Sequence, residues 1–152
     1  MKLASALSQR ADLQKRLAQM QDRLNNNAKV QEGDTPAEDP TALLVEMNDD
    51  FVQLEKLMTL INRTNSSTVV KGKTLTAWIA ERDCLRQKIG MMRSFLNAAS
   101  AKTDRYSQKE IRVTSTVPVA DLQKQLDDLC GRLRLVSDTI EEANWTVDLL
   151  EE

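Results

Sequence analysis

The chemistry open to this chain is limited first by what it lacks. It has no histidine, so the commonest side-chain base, proton shuttle and metal ligand is missing. A ferritin-like di-iron centre, built from Glu-x-x-His pairs on facing helices, is excluded on that ground. Cys84 and Cys130 are the only cysteines, and two thiols make no zinc site. Both sit beside apolar helix positions and read as small buried hydrophobes. Four scattered glycines do not build a phosphate-cradling loop. Acidic groups close in sequence, Glu46 with Asp49 and Asp50, Asp127-Asp128, and Glu141-Glu142 with Asp148, read as solvated faces of charged helices rather than magnesium ligands. No catalytic residue, metal ligand or cofactor is expected.

Arg10 and Arg82 remain. Each interrupts an otherwise apolar stripe, seven residues after its first member, and each has an acidic neighbour, Asp12 or Asp83. In helices that alternate up and down, the first and third run parallel. Both arginines then stand at one level, about 10 Å from the helix starts at about 1.5 Å per residue. The closing turns of the second and fourth helices, Asn62-Arg63-Thr64-Asn65 and Asn144-Trp145-Thr146, come to the same end. One reading is an ion-pair and amide network with carboxylates such as Asp50 or Glu55 that fixes register or an interface. The other is a pocket for a small anion, with Arg10, Asn62, Arg63, Asn65, Arg82 and Asn144 as its lining, since guanidinium forks grip carboxylate and phosphate.

The elements that carry these residues follow from apolar spacing. The longest stripe is Val119, Leu122, Leu126, Leu129, Leu133, Val136, Ile140, Ala143, Val147 and Leu150, stepping by three and four as one face of a helix does. Leu3, Ala6, Leu13, Leu17, Met20 and Leu24 mark the first helix, and Leu75, Trp78, Leu85, Ile89, Met92 and Leu96 the third. Asp39-Pro40 opens the second, because aspartate caps free amides and proline suits the first turn. Helices are predicted over about 3–24, 40–65, 75–99 and 118–150. Asn25-Asn26-Asn27 suits a left-handed close to the first, and residues 28–39 form a polar loop. The second helix is apolar on more than one stripe, through Leu43, Leu44, Met47, Phe51, Leu54, Leu57, Met58 and Ile61 with Val45, Val52 and Leu60. A face so wide implies neighbours on two sides, one of them another subunit. Met20, Met47, Met58 and Met91-Met92 read as packing.

Two short β-branched stretches break the pattern. Thr68-Val69-Val70 ahead of Lys71-Gly72 reads as strand and turn, and the alternation of residues 111–117 as a second strand able to pair with it. The expected fold is all-α: one domain over residues 1–152, an antiparallel four-helix bundle of long helices with a small β-ribbon or extended connection at one end.

Composition sets the remaining bounds. With 21 basic and 23 acidic residues the net charge is -2, and no field favours nucleic acid or an anionic membrane. The apolar runs stay as short as Ala42-Leu43-Leu44-Val45, far below the roughly 20 residues of a membrane span. Gln9, Arg10 and Asp12 interrupt the start too early for a signal peptide. The expectation is a cytoplasmic protein without a membrane partner.

Over nearly its whole length the chain resembles a bacterial family of uncharacterised helical proteins, some named septicolysin. The resemblance rests on Arg10-Ala11-Asp12-Leu13-Gln14-Lys15, Asn27-Ala28-Lys29-Val30-Gln31-Glu32-Gly33, Ile61-Asn62-Arg63-Thr64-Asn65, Thr74-Leu75-Thr76, Glu81-Arg82-Asp83, Asp104-Arg105-Tyr106-Ser107 and Asn144-Trp145-Thr146. It implies a helical fold, a homo-oligomer, expected to be a hexamer, and no established activity. The name implies a cytolysin, but neither a secretion signal nor a barrel-length amphipathic strand accompanies it. The function read from the sequence is a self-assembling helical interaction protein without catalysis. The alternative is an anion-binding protein or a metal-dependent hydrolase of phosphorylated substrates.

Overall fold

A computed structural model describes residues 1–101 and 111–151. The Asp104-Arg105-Tyr106-Ser107 motif lies outside the described residues. Among the described residues are four helices, α1 (Leu3–Asn26), α2 (Pro40–Ser67), α3 (Leu75–Ser100) and α4 (Val119–Thr146), with a hairpin of strands β1 (Val69–Val70) and β2 (Lys73–Thr74) between α2 and α3. The fold is all-α with one small antiparallel ribbon. By backbone proximity the chain forms two compact units, one of residues 1–75 with 142–152 and one of residues 76–141.

In the first unit α1 and α2 lie antiparallel. Arg16 meets Asp50 and Arg23 meets Glu46, so rising positions on one helix pair with falling positions on the other. Their inward stripes, Leu3, Ala6, Leu57 and Ile61, enclose a core with Leu75, Ala143 and Leu149. Asp39 starts α2 as predicted, its carboxylate accepting the Thr41 amide at 3.0 Å with Pro40 in the first turn.

The first helix has no side-chain cap. Its Leu3 amide instead donates to the Val147 carbonyl at 2.9 Å, and Leu149 N–H donates to the Met1 carbonyl at 2.8 Å. This pairing explains why α4 stops at Thr146 rather than at the predicted residue 150. Val147, Asp148 and Leu149 alternate inward and outward as extended chain does, so Leu149 is buried and Leu150 exposed, the reverse of the helical reading. Lys2 holds Asp148 at 2.9 Å, and its ammonium draws the Asp148 carboxyl below its usual value. The buried Thr64 hydroxyl donates to the Leu60 carbonyl and accepts the Leu150 amide at 3.0 Å, fastening the returning segment to α2.

The ribbon differs from expectation. Val69 pairs with Thr74 and Val70 with Lys73, whereas residues 111–117 form no strand. Lys71 and Gly72 both have positive φ, 47° and 83°, the two-residue primed turn whose twist matches a hairpin. With a partner two residues away, β1 needs none from a distant segment. The asparagine run also closes α1 differently. Asn27 has φ -108° and is buried, its amide donating to the Arg23 carbonyl at 2.8 Å while its oxygen accepts the Glu38 amide at 3.0 Å. The two ends of the polar loop are thereby tied together.

The second unit pairs α3 with α4 around Ile89, Leu96 and Leu126, with Met92, Val119, Leu122, Leu129, Cys130 and Leu133 packed against them. The Arg132 guanidinium lies 5.6 Å from the centre of the Trp78 ring and donates to Glu81 at 2.7 Å, so one cation answers both a ring face and a carboxylate one turn apart. Cys84 is exposed and Cys130 half-buried, so Cys84 is not the core residue expected of it. Met91 likewise points outward at 75 % exposure.

Ile61 is 1 % exposed, so Ile61→Ala should lower the unfolding free energy by about 2–5 kcal/mol in urea titrations. A change under about 0.5 kcal/mol would contradict the core assignment.

Candidate functional site

The face that carries functional interest belongs to α2, and the way α2 is turned decides it. The helix has two rows spaced by seven residues. One is Leu43, Asp50, Leu57 and Thr64, and the other is Leu44, Phe51 and Met58. Hydrophobicity alone would bury the second. The structure buries the first, and leaves Leu44, Phe51 and Met58 at 46 %, 51 % and 40 % exposure, with Val45 and Val52 beside them at 57 % and 67 %.

The inward turn of Asp50 is held by Arg16. Nε of Arg16 donates to Oδ2 at 2.8 Å, and Nη2 donates to Oδ1, a forked contact on a side chain 4 % exposed. A buried carboxylate requires such a partner. The hydrogen bond to Asp50 raises the Arg16 pKa above its ordinary value. The network expected on Arg10 and Arg82 had Asp50 as a candidate partner; the arginine that holds Asp50 is Arg16. Arg23, about two turns on, holds Glu38 at 2.7 Å and Glu46 at 3.4 Å. The Glu38 hydrogen bond raises the Arg23 pKa and in return lowers that of Glu38. Arg16 and Arg23 stand off the apolar stripe, so spacing alone does not mark them. For Arg16 the signal is an arginine on the flank of one helix facing an acid on the core side of the next; Arg23 faces Glu38, in the loop before α2, and the half-buried Glu46.

Of the residues expected to line an anion pocket, Asn62 and Arg63 lie exposed on the outward side of α2. They border two shallow depressions there, one lined by Val52, Glu55, Lys56, Thr59, Leu60 and Arg63 and the other by Phe51, Leu54, Glu55, Met58, Thr59 and Asn62. Every lining residue comes from one helix, so these are grooves between the side chains of a single rod. Arg10, Asn65 and Asn144 are half-buried in the same unit. Arg82 is in the second unit, where its Nε donates to the Asp83 carboxylate at 3.0 Å. Among the described residues no group of three or more Cys, Asp or Glu side chains could hold a metal ion, and no helix is long and apolar enough to cross a membrane.

Fold and face together define an all-α protein of long paired helices whose most distinctive surface is an apolar one. Residues 10–149 match the family of unknown function DUF6847, and the chain belongs to that family. It is also similar to a solved structure, described as a functionally unknown conserved protein from Corynebacterium diphtheriae, with 34 % identity, 99 % of each chain covered and a TM-score of 0.92. No curated protein matches.

The Arg23–Glu38 pair sets a pH dependence. Because the folded Glu38 pKa lies below its ordinary 4.5, the pair stabilises the fold fully above that value, and the contribution fades as pH falls through the folded pKa. Arg23→Gln should therefore lower Tm at pH 7, and its Tm deficit should shrink in thermal melts below about pH 4.5. A deficit that stays constant down to pH 2 would contradict this.

Proposed function

We propose that this protein is a self-assembling helical interaction protein without a reaction of its own, and that its copies associate through the outward face of α2. The observation that supports this is the exposure of Leu44, Val45, Phe51, Val52 and Met58 along one side of a single helix. Scattered exposed apolar residues are ordinary on any surface, but a contiguous row marks a surface that another protein covers. Helix faces with three-and-four spacing are covered by other helices, as in coiled coils.

The hexameric stoichiometry implied by the family resemblance, and the cytoplasmic setting read from composition, belong to the same proposal. A lytic activity is not carried over from the name septicolysin. The outward face interleaves its apolar residues with Asn48, Glu55 and Asn62, which another helix can satisfy and lipid cannot.

Light scattering at micromolar concentration should give a mass that is a multiple of 17.2 kDa. Phe51→Glu should weaken association by about tenfold or more, since charge in a desolvated seam is costly, while leaving the helical circular dichroism unchanged. A wild-type monomer under those conditions would overturn the proposal.

A further inference from the structure

The polarity of the contact can be read from the same face, on the assumption that the face is indeed the assembly surface. Apolar pairs Leu44/Val45 and Phe51/Val52, and the mixed pair Met58/Thr59, recur every seven residues, with Asn48, Glu55 and Asn62 falling between or just beyond them. All nine are exposed in the chain. Their midpoints advance by the three-and-a-half-residue step of a coiled-coil seam, here about 27 Å long from Leu44 to Asn62 at about 1.5 Å per residue.

We propose that α2 packs antiparallel against α2 of a second copy of this chain, about a two-fold axis passing between Phe51 and Val52. Three features of the seam select this arrangement. The three layers are symmetric about that point, so Leu44 and Val45 of one copy face Thr59 and Met58 of the other while the Phe51/Val52 layers meet at the centre. The polar positions exchange, so that the Asn48 amide of each copy faces the Glu55 carboxylate of the other. Such a hydrogen bond is charge-assisted and forms twice. On the flank, Asp49 comes within one turn of Lys56 of the second copy, an acid placed toward a base.

A parallel pairing has the opposite electrostatics. It sets Glu55 against Glu55 in one layer, two carboxylates facing across a seam that water has left, and Asp49 loses Lys56. Like charges in such a position discriminate strongly against a pairing. A self-complementary contact of the antiparallel kind is also the ordinary form of a two-fold homomeric interface.

Disulfide trapping tests the register. In a Cys84→Ala, Cys130→Ala background, the single variants Asn48→Cys and Glu55→Cys and the double variant are equilibrated in a glutathione redox buffer. They are read as cross-linked dimer on non-reducing gels, with circular dichroism to verify folding. Two cysteines seven positions apart on one helix stand about 10 Å apart and cannot join each other, since a disulfide spans Cα atoms at most about 7 Å apart. The double variant should therefore cross-link between copies, and neither single variant should. Cross-linking by the single variants would establish a parallel register and overturn the inference. Absence of any cross-link, in protein that light scattering shows to be assembled, would place the contact on another face and overturn it too. A monomer throughout would remove the assembly reading and this inference with it.

Discussion

One buried carboxylate governs the arrangement of the first unit. Asp50 sits 3 % exposed in the inward row of α2, where an unpaired charge would cost several kcal/mol. The forked contact from Arg16 removes that cost. Because Arg16 projects from α1, the contact fixes the rotation of α2 about its own axis as well as its register along α1. Thr64 adds a second polar constraint on the same row, with its hydroxyl engaged by the Leu60 carbonyl and the Leu150 amide. Together these two residues hold toward the core a row that is half polar, and turn the wholly apolar Leu44, Phe51 and Met58 row toward solvent.

That rotation accounts for the exposed apolar face of α2. A helix winding at 3.6 residues per turn places neighbouring rows about 100° apart, so α2 cannot hide both of its seven-residue rows against α1. Apolar area is worth about 25 cal/mol per Å² when removed from water, and a row left wet is an unspent driving force for association. The polar residues within it, Asn48, Glu55 and Asn62, limit what can cover it: the partner must offer both apolar layers and hydrogen-bonding groups at matching intervals. A copy of the same helix does so.

Much of the scaffold was legible before any coordinates. Helix starts at residues 3, 40 and 75 follow from apolar spacing and from the Asp39-Pro40 cap, and the breadth of the apolar face on α2 was plain. What was not legible depended on groups far apart in sequence. The choice between the Leu43 and Leu44 rows turns on Arg16, 34 residues before its partner Asp50. The end of α4 turns on the Met1 carbonyl and the Leu3 amide, which offer Val147 to Leu149 an extended pairing that periodicity within α4 does not reveal. The ribbon and its first strand follow from Thr68 to Gly72, but its second strand is Lys73–Thr74 rather than residues 111–117, because a Lys71-Gly72 turn supplies a partner directly behind it. For the expected anion site, spacing identified Arg10 and Arg82 as exceptions to their stripes, but their neighbours are set by packing and not by the stripe.

The decisive question is whether the outward row of α2 is covered in solution. Hydroxyl-radical footprinting of Phe51 and Met58, read by mass spectrometry at micromolar protein, measures this without any assumption about register. The expected result is strong protection of both residues in the wild-type protein, with Met58 labelling at least severalfold faster in the Phe51→Glu variant. Labelling of wild-type Phe51 and Met58 at the rate proper to side chains half open to water, unchanged in that variant, would contradict it.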